Sequence, residues 1–221
     1  MTFPTQRFTE LDTPFYYYDL TNLRETLAAI HVETLSRPNF HVHYAVKANA
    51  NPHILQFIAQ AGLGADCVSG GEIEAAHAAG FKGNSIVYAG VGKSDNEIRT
   101  ALRIGIHSFN VESLPELEVI NQIAHDMGTI AHVAFRINPN VDAHTHAKIT
   151  TGLNENKFGI AMEDMVDAIQ RAKQLDNVEY TGLHFHIGSQ ILDLSVYEAL
   201  CHRINDLQNQ LEAEGIATPN I

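Results

Sequence analysis

Lys47 is the residue whose type and position most clearly allow chemistry. It follows a short apolar stretch at 41–46 that is typical of a β-strand, and small residues come directly after it. Partial desolvation at a strand tip disfavours the charged form of a lysine, so its pKa falls and its amine can attack a carbonyl group. Such an amine could hold pyridoxal phosphate (PLP) as a Schiff base. The alternative is that Lys47 ends a strand in solvent, as most lysines in its position would.

Four further polar residues stand at the ends of predicted strands. Asp66 lies at the end of the second strand and Arg136 at the end of the fifth, while His186 and Ser189 follow the sixth. The active sites of parallel barrels lie at the carboxyl ends of the strands, where such side chains meet. Together with Lys47, these residues predict one site at the mouth of a barrel.

Strand-like and helix-like segments alternate along the chain, which predicts a parallel sheet in the α/β class. Three helices begin with the pattern of a capping box, at Ser69, Ser94 and Ser113, and several helices end at glycine. The strands are mostly apolar, as expected of strands covered on both faces. They are predicted at 41–46, 64–67, 85–89, 107–110, 130–136 and 180–185.

The number of βα units predicts an incomplete barrel. Six units can be counted in the sequence, whereas a (β/α)8 TIM-type barrel has eight units and typically about 250 residues. We therefore expect residues 1–221 to form one barrel domain that stops after its sixth βα unit, with a seventh strand beginning near 217–221. A doubly wound open sheet is the alternative, but no glycine-rich dinucleotide turn follows the first strand.

Composition limits the classes of partner. The chain has 221 residues, of which 45% are hydrophobic and 18% charged, as in an ordinary globular protein. A net charge of -12 without a basic cluster argues against nucleic acid and anionic membranes as partners. Two cysteines without metal-type spacing favour a reducing compartment. Neither a signal peptide nor an apolar run of the roughly 18 residues that span a bilayer is seen, so a cytoplasmic protein is expected.

Longer motifs surround the strand-end residues. Three of them are Tyr44-Ala45-Val46-Lys47-Ala48-Asn49, Ala65-Asp66-Cys67-Val68-Ser69-Gly70-Gly71-Glu72-Ile73 and His184-Phe185-His186-Ile187-Gly188-Ser189-Gln190. Together they resemble the fold-type III PLP-dependent decarboxylases, and most specifically the diaminopimelate decarboxylase family. The resemblance covers essentially the whole chain and extends to Phe135-Arg136-Ile137-Asn138-Pro139, Thr151-Gly152 and Lys157-Phe158-Gly159-Ile160.

The resemblance implies a role for each candidate. Lys47 would carry PLP as a Schiff base, and Asp66 would stabilise the cationic form of that lysine and help protons to move. His186 would stack on the pyridine ring of the cofactor. Ser189 would lie near the cofactor phosphate or a substrate carboxylate, and Arg136 and Glu72 are further candidates for cofactor binding.

Structural roles remain open for several of these residues. Glu72 occupies the last position of a capping box, and Arg136 could simply pair with a carboxylate inside the barrel mouth. Asp66 could be a plain hydrogen-bond acceptor at a strand end, and His186 could be a satisfied core histidine.

The resemblance also implies an activity, which is the decarboxylation of meso-diaminopimelate to L-lysine in lysine biosynthesis, carried out by a homodimer. Members of the family are longer than this chain. Beyond the matching part they have a glycine-rich phosphate loop, a glutamate that pairs with the pyridine nitrogen, and a carboxy-terminal β-domain. The chain would then be the amino-terminal barrel part. We expect it to bind PLP weakly and to be inactive alone, because the anion site and the pyridinium partner lie elsewhere.

Four other functions stay open at this point. A non-catalytic, single-barrel PLP-binding protein fits the length of the chain. The pairs His144/His146 and His184/His186 each have an i, i+2 spacing that metal sites use, as in a barrel metallohydrolase, but no acidic residue completes a set of ligands and no metal is predicted. The other two are a related amino-acid decarboxylase and a racemase of the same fold type, which also has the Lys-Ala-Asn strand end.

Overall fold

The structure of this chain, a computed structural model, describes residues 3–139, 158–189, 191–217 and 220–221. The chain separates into two compact units, Met1–His41 and Val42–Ile221. The sequence motif Thr151-Gly152, the residue Lys157 and the histidine pair His144/His146 lie outside the described residues.

The first unit contains two helices, α1 (Thr5–Phe8) and α2 (Leu20–Thr34). Asp19 begins α2, and its side chain accepts a hydrogen bond of 2.7 Å from the backbone N–H of Thr21. This bond satisfies one of the donors that the first turn of a helix leaves free. The ring of Phe8 lies 5.2 Å from that of Phe15 and 5.3 Å from that of Tyr17, so aromatic contacts pack the segment between the helices.

The second unit is built on a parallel sheet of six strands, in the order β1-β2-β3-β4-β5-β6. Each strand pairs with the next one along the chain, and within the described residues the sheet stays open between its first and last strands. The predicted α/β class and the incomplete barrel of six units are confirmed. The strands are β1 (His43–Ala45), β2 (Gly64–Cys67), β3 (Ile86–Tyr88), β4 (Ser108–Val111), β5 (Ala131–Arg136) and β6 (Val178–His184).

Helices alternate with the strands along the chain. No helix in the described part of the chain combines the length and the apolar character needed to cross a membrane. The helices of this unit are α3 (Pro52–Gln60), α4 (Gly70–Ala78), α5 (Asp95–Ile104), α6 (Leu114–Met127), α7 (Met165–Lys173) and α8 (Ser195–Ala213).

Serine residues begin three of the helices, as the sequence predicts. The side chains of Ser69, Ser94 and Ser113 each accept a hydrogen bond from the backbone N–H of the glutamate three residues later. Of these three glutamates, only Glu97 completes the capping box by accepting from the N–H of its serine. The complete capping boxes predicted at Ser69 and Ser113 are wrong. There the glutamate accepts a hydrogen bond from the backbone N–H of the residue before the serine, and not from that of the serine itself.

The two faces of the sheet differ in polarity. Strand register places Cys67 beside Tyr88 and Tyr88 beside Phe109 on one face, and these three side chains are almost completely buried. Because side chains alternate along a strand, the opposite face carries Asp66 and Ser108. This second face continues across the sheet and becomes more polar towards the carboxyl ends of the strands.

Asn220 continues the sheet beyond β6. It pairs in parallel with Gly182, its carbonyl accepts a hydrogen bond of 3.1 Å from the N–H of Leu183, and its side-chain amide donates to the carbonyl of Thr181 at 2.8 Å. A Cβ atom at position 182 would collide with the carbonyl of Asn220, so this close approach requires glycine. Asn220 thus lies where the sequence predicts a seventh strand to begin.

Candidate active site

Lys47 lies just after β1 rather than at the end of the strand itself. The strand ends at Ala45, and Val46–Ala48 form a 3₁₀ turn that carries the lysine. The predicted first strand is therefore too long, and the predicted partial desolvation is not seen, because Lys47 is exposed on this turn. The hydroxyl of Tyr44 donates to the carbonyl of Asn49 at 3.2 Å and ties the end of the turn to the strand. The amine is thus accessible to a carbonyl compound from solvent.

Asp66 is a half-buried carboxyl group next to this turn. In the register of β1 and β2 it is the partner of Ala45, two residues before Lys47. Burial raises the pKa of Asp66, while the positive charge of Lys47 lowers it and the negative charge of Glu72 raises it further. Protonation of Asp66 is therefore coupled to the charge on Lys47.

Glu72 lies in the first turn of α4, with its carboxylate directed back to the end of β2. Its Oε2 accepts a hydrogen bond of 2.8 Å from the N–H of Val68, and its own N–H donates to the hydroxyl of Ser69. These bonds give Glu72 a structural role at the start of the helix. Its charge also acts on Asp66, so both interpretations of Glu72 stay open.

Arg136 ends β5 on the polar face of the sheet and pairs with Glu112. Asn110 of β4 and Ala134 of β5 are register partners, so the residues two positions later on each strand come to the same level and face. The Nη1 atom of Arg136 donates to Oε1 of Glu112 at 2.9 Å, and the two side chains are only 10% and 4% exposed. The carboxylate partner that the sequence allowed for Arg136 is therefore Glu112.

The sequence did not single out Glu112, although it follows β4 directly, at a position where other strands carry site candidates. Its Oε1 also accepts a hydrogen bond of 3.2 Å from the N–H of Gly90. Its Oε2 is buried and has no hydrogen-bond partner among the described residues. Position at a strand end is the signal that could have revealed this residue.

A second ion pair, which was not predicted from the sequence either, is hydrogen-bonded to the first. Lys93 donates to Oε1 of Glu116 at 2.7 Å and to the carbonyls of Gly90 and Asn110, and its side chain is 1% exposed. The other carboxylate oxygen of Glu116 accepts from the backbone N–H of Glu112 at 2.9 Å. One connected cluster of charged side chains results, the Glu112 cluster, which consists of Lys93, Glu112, Glu116 and Arg136.

His184 and His186 lie beside the guanidinium of Arg136. His184 is the register partner of Arg136 on β6, and His186 follows two residues later. Burial, and then the positive charge of Arg136, lower the pKa of His184 to about 3. The same two causes lower the pKa of His186, with Lys47 adding to the effect and Glu112 opposing it. At neutral pH both side chains are therefore neutral imidazoles.

Ser189 is exposed three residues after His186. Within the described residues, the charge of Lys47 acts on both Asp66 and His186 at the carboxyl ends of the strands. The charge of Arg136 also acts on His186. The assignment of the full set as catalytic or cofactor-binding residues stays a prediction. That set is Lys47, Asp66, Glu72, Arg136, His186 and Ser189.

Metal ligation finds no support in the described ranges, where no group of three or more His, Cys, Asp or Glu side chains is placed to hold a metal ion. Both histidines of the pair His184/His186 lie close to a guanidinium, which repels a cation.

The buried His184 should make folding stability depend on pH. The unfolded imidazole has an ordinary pKa near 6.5 and the folded one a pKa of about 3, so between these values the unfolded chain binds more protons. Stability therefore falls as the pH is lowered through this window. Between about pH 7 and pH 5, His184 should lower the free energy of unfolding by about 2 kcal/mol. We expect His184→Asn to remove this loss.

Urea denaturation of the variant and of the unchanged chain at both pH values measures this difference. His202→Asn, at an exposed histidine of α8, is the control and should leave the pH dependence unchanged. An equal pH dependence in His184→Asn and in the unchanged chain would contradict the expectation.

Comparison with known proteins gives a family match over most of the chain. Residues 22–221 match the family model described as pyridoxal-dependent decarboxylase, pyridoxal binding domain. The match includes every strand of the sheet and every candidate residue discussed above.

Individual proteins and solved structures similar to this chain are named as decarboxylases. The chain is 60% identical over 219 residues to diaminopimelate decarboxylase of Bacteroides thetaiotaomicron, a match that covers 99% of this chain and 57% of that protein. The crystal structure of diaminopimelate decarboxylase from Helicobacter pylori, complexed with L-lysine, superposes with a TM-score of 0.90 at 42% identity, over 96% of this chain and 54% of that one. Lysine decarboxylase from Selenomonas ruminantium gives a TM-score of 0.82 at 25% identity, over 97% and 52%. The chain thus spans about half the length of the relatives it matches.

Proposed function

Because this chain belongs to the pyridoxal-dependent decarboxylase family, through that family's pyridoxal binding domain, we propose that it is the amino-terminal barrel part of a PLP-dependent diaminopimelate decarboxylase. The activity would be conversion of meso-diaminopimelate to L-lysine in lysine biosynthesis. The observation that carries the proposal is the accessible amine of Lys47, which lies at the carboxyl edge of the sheet within electrostatic range of Asp66 and His186. The names of the relatives support the choice of substrate.

The side chains at this edge fit PLP. The amine of Lys47 can condense with an aldehyde, and the neutral imidazole of His186 can lie against an aromatic ring, while the charge of Arg136 beside it is balanced by Glu112. Bound there, the cofactor would supply an electron sink for the electron pair that remains when CO₂ leaves the substrate.

The residues of this chain would divide the remaining tasks. Lys47 would bind the cofactor through its amine and give up that bond to the amine of the substrate. Asp66 would hold or return a proton at Nζ of Lys47, since its own protonation responds to that charge. His186 would cover one face of the ring and exclude water from it. Ser189 would contact an anionic group at the exposed edge, while Arg136 and Glu72 would set the charge around the cofactor.

Borohydride reduction in the presence of PLP tests the proposal directly. We expect the 221-residue chain to take up a reduced pyridoxyl group on the peptide that contains Lys47. Lys82 is the internal control, because it is exposed before β3, at the opposite end of the strands. Saturation at Lys47 should occur at lower PLP concentration than at Lys82. Equal labelling of the two lysines would contradict a site at Lys47.

The same chain is expected to bind PLP weakly and to release little or no CO₂ from meso-diaminopimelate when assayed alone. Phosphate sites of parallel barrels are often built by the loops after the seventh and eighth strands, whereas the described sheet contains six. Radiometric CO₂ release from the isolated chain measures this, and turnover with tightly held PLP would contradict it.

The non-catalytic, single-barrel PLP-binding protein is not favoured as an alternative. The relative with 60% identity is named as a decarboxylase and extends well beyond the matched region. We further propose that the longer form is a homodimer located in the cytoplasm, and that residues 1–221 constitute one PLP-binding barrel domain. A single unfolding transition of the chain, seen equally by probes in both compact units, would support the last point.

A further inference from the structure

The Glu112 cluster joins three successive strand ends and contains a balanced set of charges. Lys93 follows β3, Glu112 follows β4, Glu116 lies in the first turn of α6, and Arg136 ends β5. Each of the four side chains is at most 14% exposed. Charges that are buried to this extent are costly unless each one is paired, so the cluster must keep its geometry to remain stable.

Glu112 is the centre of this cluster. Its Oε1 accepts hydrogen bonds from Nη1 of Arg136 and from the N–H of Gly90, and its own N–H donates to Glu116. Glu116 is held in turn by Lys93. Glu112 is therefore held both by the segment after β3 and by the first turn of α6. The guanidinium of Arg136 cannot move without breaking a buried ion pair.

We propose that Glu112 is a positioning residue of the active site, which fixes the guanidinium of Arg136 beside His186 and balances the charge that His186 experiences. This inference rests on the proposed function, in which His186 contacts the cofactor. Without the carboxylate, the guanidinium would be free to turn and its full charge would act on the imidazole.

The surroundings of His186 support this role. Among the charged groups that act on it are Arg136 at the end of β5, Lys47 on the turn after β1, and Glu112 after β4. His184, the last residue of β6, adds a neutral imidazole. Of these neighbours, only Glu112 favours the protonated form of His186. Removal of the charge of Glu112 should therefore lower the pH at which His186 titrates.

The experiment is an NMR titration of the imidazole of His186 in the full 221-residue chain, assigned by the signal lost in His186→Asn. Glu112→Gln keeps the shape and the hydrogen-bond acceptor but removes the charge. It should lower the midpoint of His186 by about half a pH unit or more. Glu118→Gln is the matched control, because Glu118 pairs with Arg171 on the surface, where both side chains are 43% exposed. It should leave the midpoint unchanged.

A role limited to holding strands together predicts no shift in a folded Glu112→Gln variant, and that result would overturn the proposal. If this variant does not fold, the double variant Glu112→Gln/Arg136→Gln removes both buried charges and restores neutrality. Because Arg136 acts on His186 more strongly than Glu112 does, His186 should then titrate above its midpoint in the unchanged chain. A midpoint at or below that value would equally reject the proposal.

Labelling of Lys47 separates failure of this inference from failure of the proposed function. If PLP and borohydride label Lys47 in the unchanged chain but Glu112→Gln leaves His186 unaffected, only the positioning role is lost. If Lys47 is not labelled while the His186 midpoint shifts as expected, Glu112 still positions Arg136, and the cofactor site is the part that fails.

Discussion

Lys47→Ala is expected to abolish decarboxylation in a chimera that joins this chain to the remaining part of the Bacteroides thetaiotaomicron relative. At 60% identity over 219 residues, we expect the two parts to pack against each other as they do in that relative. A decarboxylase that loses the amine holding its cofactor loses covalent catalysis altogether, so we expect a fall in kcat on the order of 10³-fold or more. Release of CO₂ from meso-diaminopimelate, followed under saturating PLP, measures the effect.

Two variants serve as controls for the Lys47 experiment. Lys82→Ala removes an exposed lysine at the opposite end of the strands and should leave the activity of the chimera unchanged. Lys47→Arg keeps the positive charge next to Asp66 but cannot condense with an aldehyde at neutral pH, so it should be as inactive as the alanine variant. Substantial activity in Lys47→Arg would show that charge, rather than a covalent bond, is what this position contributes.

Most of the sheet could be predicted because apolar runs and helix starts are local signals. The strand predicted at 64–67 has the observed bounds of β2, and the strand predicted at 130–136 differs from β5 (Ala131–Arg136) by one residue. The first strand was predicted too long, since a 3₁₀ turn after an apolar strand continues the same hydrophobic pattern. Exposure of Lys47 depends on this turn and could not be predicted from its neighbours in sequence.

Candidate residues at strand ends could be predicted from the sequence. Their partners could not be predicted where the two residues are far apart in the chain. Arg136 was identified by its position, but its partner Glu112 is 24 residues away and becomes its neighbour only through the register of β4 and β5. Glu116 has a local explanation as a capping residue, which concealed its pairing with Lys93. A local rule that already accounts for a residue gives no reason to look for a second partner.

Arg136→Met should destabilise the chain by about 3–5 kcal/mol, because it leaves the buried carboxylate of Glu112 without its cationic partner. Methionine keeps much of the volume of the arginine side chain, so loss of packing contributes little. Since small domains are stable by only about 5–15 kcal/mol, the loss is a large fraction of the total. Urea denaturation at neutral pH, with the midpoint and slope compared with those of the unchanged chain, measures it.

The structure offers a matched pair for comparison. Arg171 and Glu118 are also an arginine and a glutamate in contact, at 2.6 Å, but both are 43% exposed. Arg171→Met should therefore leave the urea midpoint nearly unchanged, because water solvates the carboxylate that is left. The double variant Arg136→Met/Glu112→Leu leaves no unpaired charge at this site. Its free energy of unfolding should therefore return most of the way to that of the unchanged chain. Equal effects of the two single variants would mean that water reaches Glu112 and that burial does not set the strength of the pair.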